Sequence, residues 1–281
     1  MSPAYFHQPN IDPVLIHLWG PLQIRWYSLL YVGAFVVARW ILRALAKEDR
    51  FKFTQEDVEQ FIVWLLIGTV AGARIFYCLF YDPKNLLANP LYLFQVYLGG
   101  LSFHGGLIGS ICAAILFCRK KGIPFWNFAD ALVLAAPTGL AMGRIGNFIN
   151  GELYGRTTEV PWGVVFREGG PLPRHPSQLY EFFLEGVVLF AVLWILKNRF
   201  RRDGQLSLVF LVGYSLIRFG VEFFREPDSQ LGYLTLGLSM GQLLSIAMLV
   251  ISISVGFWVL QPSFNKTNPK LVKKSRPKKK I

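Results

Sequence analysis

Seven apolar runs, each about 20 residues long, constrain the fold of this chain more than any other feature of its sequence. A helix of this length crosses the hydrocarbon core of a bilayer and satisfies its own backbone hydrogen bonds there. The fold class predicted is therefore an all-α integral membrane protein with about seven transmembrane helices. The predicted spans are 22–44, 59–81, 97–118, 127–149, 178–196, 205–224 and 236–260.

The composition excludes two other classes of protein. Of the 281 residues, 53% are hydrophobic and only 16% are charged, whereas a soluble domain carries about 25% charged residues. A disordered chain needs low hydrophobicity and high net charge. Cys78, Cys112 and Cys118 all lie in apolar runs without metal-ligand spacing, so we expect no disulfide framework, no metal site and no cofactor.

The basic residues fall mostly on one side of the predicted spans. The loops after the first, third and fifth spans, together with the C-terminal tail, hold 20 of the 29 lysines and arginines, and the opposite loops hold five. Basic loops stay in the cytoplasm, which predicts an N-terminus outside and a C-terminus inside. No basic stretch precedes the first apolar run, so no cleaved signal peptide is expected.

This orientation predicts a simple domain organisation. Residues 1–260 form a seven-helix membrane domain, with an external head or lid at 150–177 between spans four and five. Residues 261–281 form a basic cytoplasmic tail drawn to the anionic lipid of the bilayer. We do not expect nucleic acid as a partner of this tail.

Charged residues inside the spans are costly and usually mark function. Arg144, Arg218 and Glu222 are the outliers, and the predicted topology places them in the outer half of the membrane. Two arginines at that depth indicate a phosphate ligand, because a guanidinium fork matches phosphate oxygens and stays charged. The alternative is that each arginine pairs with a structural carboxylate, and Glu222 lies one turn from Arg218.

His104 lies in a glycine-rich run, LGGLSFHGGLIG at 98–109. With the third span starting at 97, His104 lies about 10 Å inside it. The glycines allow another backbone or a lipid chain to approach closely, and a histidine there could act as a general base. The alternative is a hydrogen-bonded histidine that fixes a helix contact. For Arg74, on the second span, we expect a structural ion pair.

Four sequence blocks carry a resemblance to a known family. The run GRIGNFINGELYG at 143–155 resembles the signature of bacterial prolipoprotein diacylglyceryl transferases. The resemblance extends to HGGLIG at 104–109, HPSQLYE at 175–181 and RFGVEFFREPD at 218–228. With seven spans and an outside N-terminus, it covers nearly the whole chain apart from the basic tail.

The resemblance implies a function for this chain. Members of the family transfer the diacylglyceryl group of phosphatidylglycerol to the lipobox cysteine in the signal peptide of a preprolipoprotein. The products are a thioether-linked precursor and glycerol phosphate, and this reaction begins lipoprotein maturation. It takes place at the bacterial inner membrane, so the head at 150–177 would be periplasmic.

The resemblance also implies roles for individual residues. Arg144 and Arg218 match the family's essential arginines, and His104 matches its essential histidine. From the chemistry of these groups we expect the catalytic residues to be His104, Arg144, Tyr214 and Arg218, with the arginines on the phosphate and His104, with Tyr214, assisting deprotonation of the cysteine. The residues that would bind phosphatidylglycerol are Tyr27, Asn127, Arg144, Asn147, Glu152, Gly155, Glu181, Arg218 and Glu222.

Two other functional classes compete with this interpretation. A transporter or lipid scramblase would use buried arginines as a substrate path, but it predicts paired halves of related sequence, and no second copy of these motifs occurs. An intramembrane protease needs a Ser/His pair or two aspartates within the spans. Ser102 is a poor partner for His104, because residues two apart do not face each other on a helix.

Overall fold

The computed structural model describes residues 5–19, 22–200, 202–227, 234 and 237–261. The predicted basic tail lies outside the described residues, apart from Gln261. Eight α-helices are described, and they account for most of this part of the chain. Their bounds are α1 Trp26–Leu45, α2 Gln55–Phe80, α3 Pro83–Ala88, α4 Phe103–Lys121, α5 Phe125–Asn150, α6 Ser177–Leu196, α7 Gln205–Val221 and α8 Met240–Val259.

The prediction of an all-α integral membrane protein is confirmed. Six of the described helices are long and apolar enough to cross a membrane, and the apolar helix α7 is somewhat shorter. Short strands accompany the helices in the larger of the two units described below. These are β1 Phe6–His7, β2 Val14–Trp19, β3 Leu22–Arg25 and β4 Val164–Val165, with β1 parallel to β4 and β2 antiparallel to β3.

The predicted start of the first span was wrong by four residues. Leu22–Arg25 is a strand that pairs with Val14–Trp19, so α1 begins only at Trp26. The apolar character of residues 22–25 extends the hydrophobic run without making it helical, because the partner strand takes up their backbone hydrogen bonds.

The third span also begins later than predicted. Gly99 and Gly100 have φ angles of +83° and +73°, a conformation that ends the preceding 3₁₀ turn and that glycine adopts without strain. Ser102 then caps the helix by accepting a hydrogen bond from the Gly105 N–H. His104 is therefore the second residue of α4, so the helix start from which its depth of about 10 Å was predicted is wrong, and its depth in the membrane stays a prediction.

The chain divides into two compact units. Among the described residues, the larger unit comprises those of 1–41 and 132–261, and the smaller unit comprises 42–131. In the smaller unit, α2 begins with a capping box in which Thr54 and Asp57 satisfy each other's backbone N–H groups. Its aromatic core contains Phe61 and Phe128, whose rings meet edge to face at 4.8 Å between centroids.

Glycines bring α2 and α4 into backbone contact within the smaller unit. A Cβ on Gly109 would lie 2.9 Å from the Gly72 Cα, and one on Gly68 would lie 2.8 Å from the Gly109 carbonyl oxygen. The expectation that this glycine-rich run admits another backbone is confirmed, and the approaching backbone is that of α2.

Candidate active site

Glu181 is the centre of a buried charge cluster in the larger unit. It lies in the first turns of α6, and its side chain is fully buried. One carboxylate oxygen accepts a hydrogen bond from Arg218 Nη1 at 2.8 Å and lies 3.3 Å from Arg225 Nη1, while the other is 2.9 Å from Arg144 Nε. Three arginines distant from Glu181 in sequence are thus held around one carboxylate.

Two further glutamates complete this cluster. Glu222 Oε2 is 2.8 Å from Arg218 Nη2, one turn away, so the local pair expected from the i, i+4 spacing is confirmed. Glu185 Oε2 is 3.5 Å from Arg144 Nη2. We call this set the arginine–glutamate cluster, and its members are Arg144, Glu181, Glu185, Arg218, Glu222 and Arg225.

Glu222 is also held from α8. The Ser239 hydroxyl donates a hydrogen bond to Glu222 Oε1 at 2.9 Å. Gly241 lies so close that a Cβ there would be 2.5 Å from Oε1. Glycine at position 241 therefore allows α8 to pack directly against the carboxylate, a role that the sequence alone did not indicate.

The cluster balances its charges in a site that is mostly closed to solvent. Three guanidinium groups face three carboxylates, and buried charges require such pairing. The pairing with carboxylates that the sequence left open as an alternative is therefore present. The side chains of Arg144 and Arg218 nevertheless keep 16% and 15% of their surface exposed, so both arginines remain accessible to an anionic ligand.

Two asparagines hold the Glu152 side chain beside the end of α5. Its Oε1 accepts hydrogen bonds from Asn147 Nδ2 at 2.9 Å and from Asn150 Nδ2 at 3.1 Å. The turn that carries Glu152 is unusual, because Gly151 and Leu153 both have positive φ angles, +71° and +59°. A leucine in this conformation is strained, and such strain often accompanies functional sites.

The HPSQLYE block at 175–181 supports this turn. The buried Gln178 donates a hydrogen bond from Nε2 to the Glu152 carbonyl at 2.7 Å, and the Ser177 hydroxyl donates one to the Leu153 carbonyl at 3.0 Å. Two of the blocks that carry the family resemblance are thus in direct contact, and one of them also supplies Glu181.

Tyr27 lies against the same part of α5. A Cβ on Gly146 would lie 2.7 Å from Cδ2 of the Tyr27 ring, so a larger residue at 146 has no room. Arg144 and Glu152 are close enough to act electrostatically on the Tyr27 hydroxyl. The structure therefore brings Tyr27, Arg144, Asn147 and Glu152 together, as expected for residues that share a site.

Gly155 joins the head at 150–177 to the end of α7. Its N–H donates a hydrogen bond to the His175 carbonyl at 2.8 Å, and it forms a β-bridge with Arg225. A Cβ at 155 would lie 2.7 Å from both the Cβ and the carbonyl oxygen of His175. These close contacts explain why position 155 is a glycine. Its predicted role in lipid binding stays a prediction.

Arg225 and Glu185 are site residues that sequence reasoning missed. Arg225 follows the predicted end of the sixth span and was counted with the outer loops; it lies beyond the end of α7, in a β-bridge with Gly155, so no helical spacing relates it to Arg218. Arg156 Nε donates a hydrogen bond to the Arg225 carbonyl at 2.9 Å and so holds its backbone in place. For Glu185, the only signal was its position one turn after Glu181 on an apolar helix.

Two predicted site residues belong to the smaller unit. His104 is exposed in the first turn of α4. Asn127 is buried in the first turn of α5, whereas Asn147 lies in the last turn of that helix. The Asn127 side chain accepts a hydrogen bond from the Lys52 N–H at 2.7 Å and donates one to the Arg50 carbonyl at 3.0 Å, so it stabilises the loop between α1 and α2.

The ion pair predicted for Arg74 is wrong, although its role is structural. The buried guanidinium donates hydrogen bonds to the carbonyls of Tyr92 and Gly99, each at 2.6 Å, and to those of Leu93 and Gly100, each at 3.2 Å. Backbone dipoles replace the expected carboxylate, because the loop folds its carbonyl groups around the side chain. In this way Arg74 stabilises the segment that precedes α4.

Comparison with known proteins gives a consistent result. A family model described as prolipoprotein diacylglyceryl transferase matches residues 13–258. A phosphatidylglycerol–prolipoprotein diacylglyceryl transferase of Idiomarina loihiensis is 50% identical over 253 residues, which cover 90% of this chain and 94% of the relative. Proteins of the same name from Vibrio campbellii and Nitratidesulfovibrio vulgaris are 48% identical over 259 residues, covering 92% of this chain and 94% and 97% of theirs.

Proposed function

Because this chain belongs to the prolipoprotein diacylglyceryl transferase family and is therefore a transferase, we propose that it transfers the diacylglyceryl group of phosphatidylglycerol to preprolipoproteins. The acceptor is the thiol of the lipobox cysteine in the signal peptide. The products are a thioether-linked lipoprotein precursor and glycerol phosphate. The reaction takes place at the bacterial inner membrane and is the first step of lipoprotein maturation.

The reaction has a simple balance of bonds and charges. A carbon–sulfur bond forms between the cysteine and the diacylglyceryl group, and the bond from that carbon to the phosphate oxygen breaks. The thiol gives up its proton, and the thiolate is the effective nucleophile. The electron pair of the broken bond stays on the leaving glycerol phosphate, which gains negative charge.

Arg144 and Arg218 hold the phosphate in this proposal. Fixed guanidinium groups stabilise the charge that develops on the leaving group, and they do so more strongly where water is excluded. The observation that carries the proposal is the arginine–glutamate cluster, in which buried carboxylates orient the two arginines while both stay partly exposed. Glu181 acts as a positioning residue for both arginines, since its side chain is fully buried behind them.

The other predicted site residues complete the assignment. His104, with Tyr214, removes the thiol proton, and the substrate brings its own cysteine, so no nucleophile of the enzyme is needed. Tyr27, Asn127, Asn147, Glu152, Gly155 and Glu222 contribute to binding phosphatidylglycerol.

The proposed topology places this chemistry at the outer leaflet. The distribution of basic residues, 20 on one side and five on the other, supports an N-terminus outside and a C-terminus inside. The head at 150–177 then covers the periplasmic end of the membrane domain 1–260, and the tail at 261–281 contacts the cytoplasmic surface.

The function is tested with the purified protein in vesicles that contain labelled phosphatidylglycerol and a lipobox peptide. We expect the label to move to the peptide and glycerol phosphate to be released. A protease would instead cleave the peptide, and a scramblase would leave both substrates unchanged. Either of these two results in place of transfer would refute the proposal.

The arginine role is tested with Arg144→Ala in the same assay. Loss of one preorganised charge contact to a developing anion costs about 100- to 1,000-fold in rate, and we expect a loss of at least this size with normal membrane insertion. Arg199→Ala, which removes an exposed arginine beyond the end of α6, is the matched control and should keep full activity. Normal transfer by Arg144→Ala would remove the phosphate contact from the mechanism.

A further inference from the structure

Glu185 is the most weakly held carboxylate of the arginine–glutamate cluster. Glu181 and Glu222 each have a guanidinium nitrogen within 2.9 Å, whereas Glu185 lies 3.5 Å from Arg144 Nη2. Each of the three carboxylates has one buried oxygen without a hydrogen-bond partner among the described residues: Glu181 Oε2, Glu185 Oε1 and Glu222 Oε2. The oxygens of Glu181 and Glu222 lie within 2.9 Å of a guanidinium nitrogen, whereas no such contact is found for Glu185 Oε1 in the described part of the chain. A fully buried carboxylate with one long contact leaves much of its desolvation cost uncompensated.

The position of Glu185 in α6 is also unusual. Residues Phe182–Val188 form a π-helical stretch, a rare form that is found frequently at functional sites. Next to Glu185, Gly186 packs against Ala141, where a Cβ on the glycine would lie 2.6 Å from the alanine Cβ. Arg144 lies about one turn along α5 from Ala141, so this close packing of α6 on α5 sets the distance between Glu185 and Arg144.

The guanidinium of Arg144 contacts two carboxylates at different distances. Its Nε faces Glu181 at 2.9 Å, and its Nη2 faces Glu185 at 3.5 Å. Phosphate and carboxylate oxygens compete for the same guanidinium donors. The contact with Glu185 is a long hydrogen bond, and the contact with Glu181 is a closer ion pair. An incoming phosphate that displaces Glu185 gives up the longer contact and leaves the closer pair with Glu181 in place.

We propose that Glu185 is a place-holder for the lipid phosphate on Arg144. This inference rests on the proposed function. Glu185 neutralises the Nη2 end of the arginine while the site is empty, the headgroup phosphate replaces it there, and it returns when glycerol phosphate leaves. Return of the carboxylate competes with the product for Arg144 and so favours release of the product after transfer.

The surroundings of Glu185 supply a partner for the displaced carboxylate. The charged groups that act on it are Arg144 on α5, Arg218 on α7 and Glu181 on its own helix. Tyr214 on α7 is close enough for electrostatic interaction with both Glu185 and Arg144. In this proposal the Tyr214 hydroxyl donates its hydrogen to Glu185 once Arg144 has turned to the phosphate, and the hydroxyl oxygen accepts the hydrogen bond by which Tyr214 assists His104.

The proposal is tested with Glu185→Gln, which keeps the size of the side chain and removes its charge. Binding of glycerol phosphate to the purified protein is measured by calorimetry. A place-holder predicts tighter binding, with Kd lower by about fivefold, and stronger inhibition of transfer by this product. Glu159→Gln removes the same charge from an exposed position in the head and should leave Kd unchanged.

A Kd for glycerol phosphate that rises or stays unchanged in Glu185→Gln would overturn the proposal. If Glu185 only oriented Arg144, its loss would raise Kd, and if it only stabilised the fold, thermal stability would fall with no change in Kd. Glu185→Asp keeps the charge but shortens the side chain, so it also weakens the contact with Arg144. We expect it to lower Kd by less than Glu185→Gln does.

A structure with glycerol phosphate bound tests the exchange directly. Arg144 Nη2 should contact a phosphate oxygen, and the Glu185 carboxylate should lie more than about 4 Å from Arg144 Nη2. The contact between Arg144 and Glu181 should persist. A bound phosphate beside an intact contact between Arg144 and Glu185 would refute the exchange. Transfer by the wild-type protein is measured in parallel, so that failure of the proposed function is distinguished from failure of this inference.

Discussion

Buried arginines are satisfied in two different ways in this molecule. Arg74 uses the backbone carbonyls of a loop, with both of its shortest contacts at 2.6 Å. Arg144 and Arg218 instead face carboxylates that they share. A carbonyl cannot be displaced from its chain, whereas a carboxylate side chain can exchange with an anionic ligand. The second arrangement therefore suits a site that binds phosphate, and the first suits a structural role.

The base assigned to the reaction is tested at the scale of one residue. His104→Gln keeps a polar side chain but cannot accept the thiol proton at neutral pH. Since general acid–base catalysis contributes about 100- to 10,000-fold, we expect transfer of labelled lipid to fall by at least 100-fold. His17→Gln, on the exposed strand β2, should retain the wild-type rate. If His104→Gln kept most of its activity, the role of base would pass to another group.

At the scale of elements, glycine determines how closely the helices pack. Gly109 meets the backbone of α2, Gly186 meets Ala141 on α5, and Gly241 meets the carboxylate of Glu222. Without a hydrophobic driving force in lipid, helices associate through close packing, and small residues permit it. The same packing sets the distances between charged groups on neighbouring helices of the larger unit.

Gly109→Ala tests this packing in the smaller unit. Its Cβ would lie 2.9 Å from the Gly72 Cα, and a backbone neighbour cannot move aside as a flexible side chain does. We expect a loss of about 1–3 kcal/mol in the free energy of unfolding, measured as thermal unfolding in detergent. Gly220→Ala has no neighbour within 4 Å of its Cβ and should be neutral or stabilising. Equal stability of the two variants would contradict the packing argument.

At the scale of the whole molecule, the head is joined to the rest of the larger unit, of which it is a part, at several points. Strand β1 pairs with β4, and the Gln8 side chain donates hydrogen bonds to the carbonyls of Phe148 and Ile149 at the end of α5. His175 lies at another junction, where its ring contacts Phe224 and its Nδ1 lies 3.1 Å from the Tyr180 hydroxyl. These contacts couple the stability of the head to that of the helices beneath it.

His175 makes this stability depend on pH. Burial lowers the pKa of His175 below its ordinary value of 6.5, so the unfolded chain binds a proton at a higher pH than the folded protein does. The contribution of His175 is therefore fully present above pH 6.5 and is lost as the pH falls through that value toward the lower pKa of the folded state. His175→Gln cannot titrate. Between pH 7.5 and pH 5, we expect the melting temperature of the wild type to fall more than that of His175→Gln. An equal fall in both proteins would contradict this.

The sequence alone predicted the membrane-spanning class, the approximate span positions and the pair between Arg218 and Glu222. These features depend on local information, namely the length of an apolar run and the spacing of residues on one helix. The helix starts at Trp26 and Phe103 were missed by four and six residues. In the first case a partner strand, and in the second two glycines with positive φ angles, overrule the apolar run.

Only the tertiary structure decided which polar and charged groups from separate elements meet. Arg225 and Glu185 belong to the arginine–glutamate cluster. Arg74 is held by backbone carbonyls. Asn127 holds the loop at Arg50 and Lys52. Each of these contacts, apart from those of Arg74 with its neighbouring loop, joins residues more than 40 positions apart in the chain. Hydrophobicity determines that a helix is buried in lipid, but the partner of a buried charge depends on which helix packs beside it, and that information is not local.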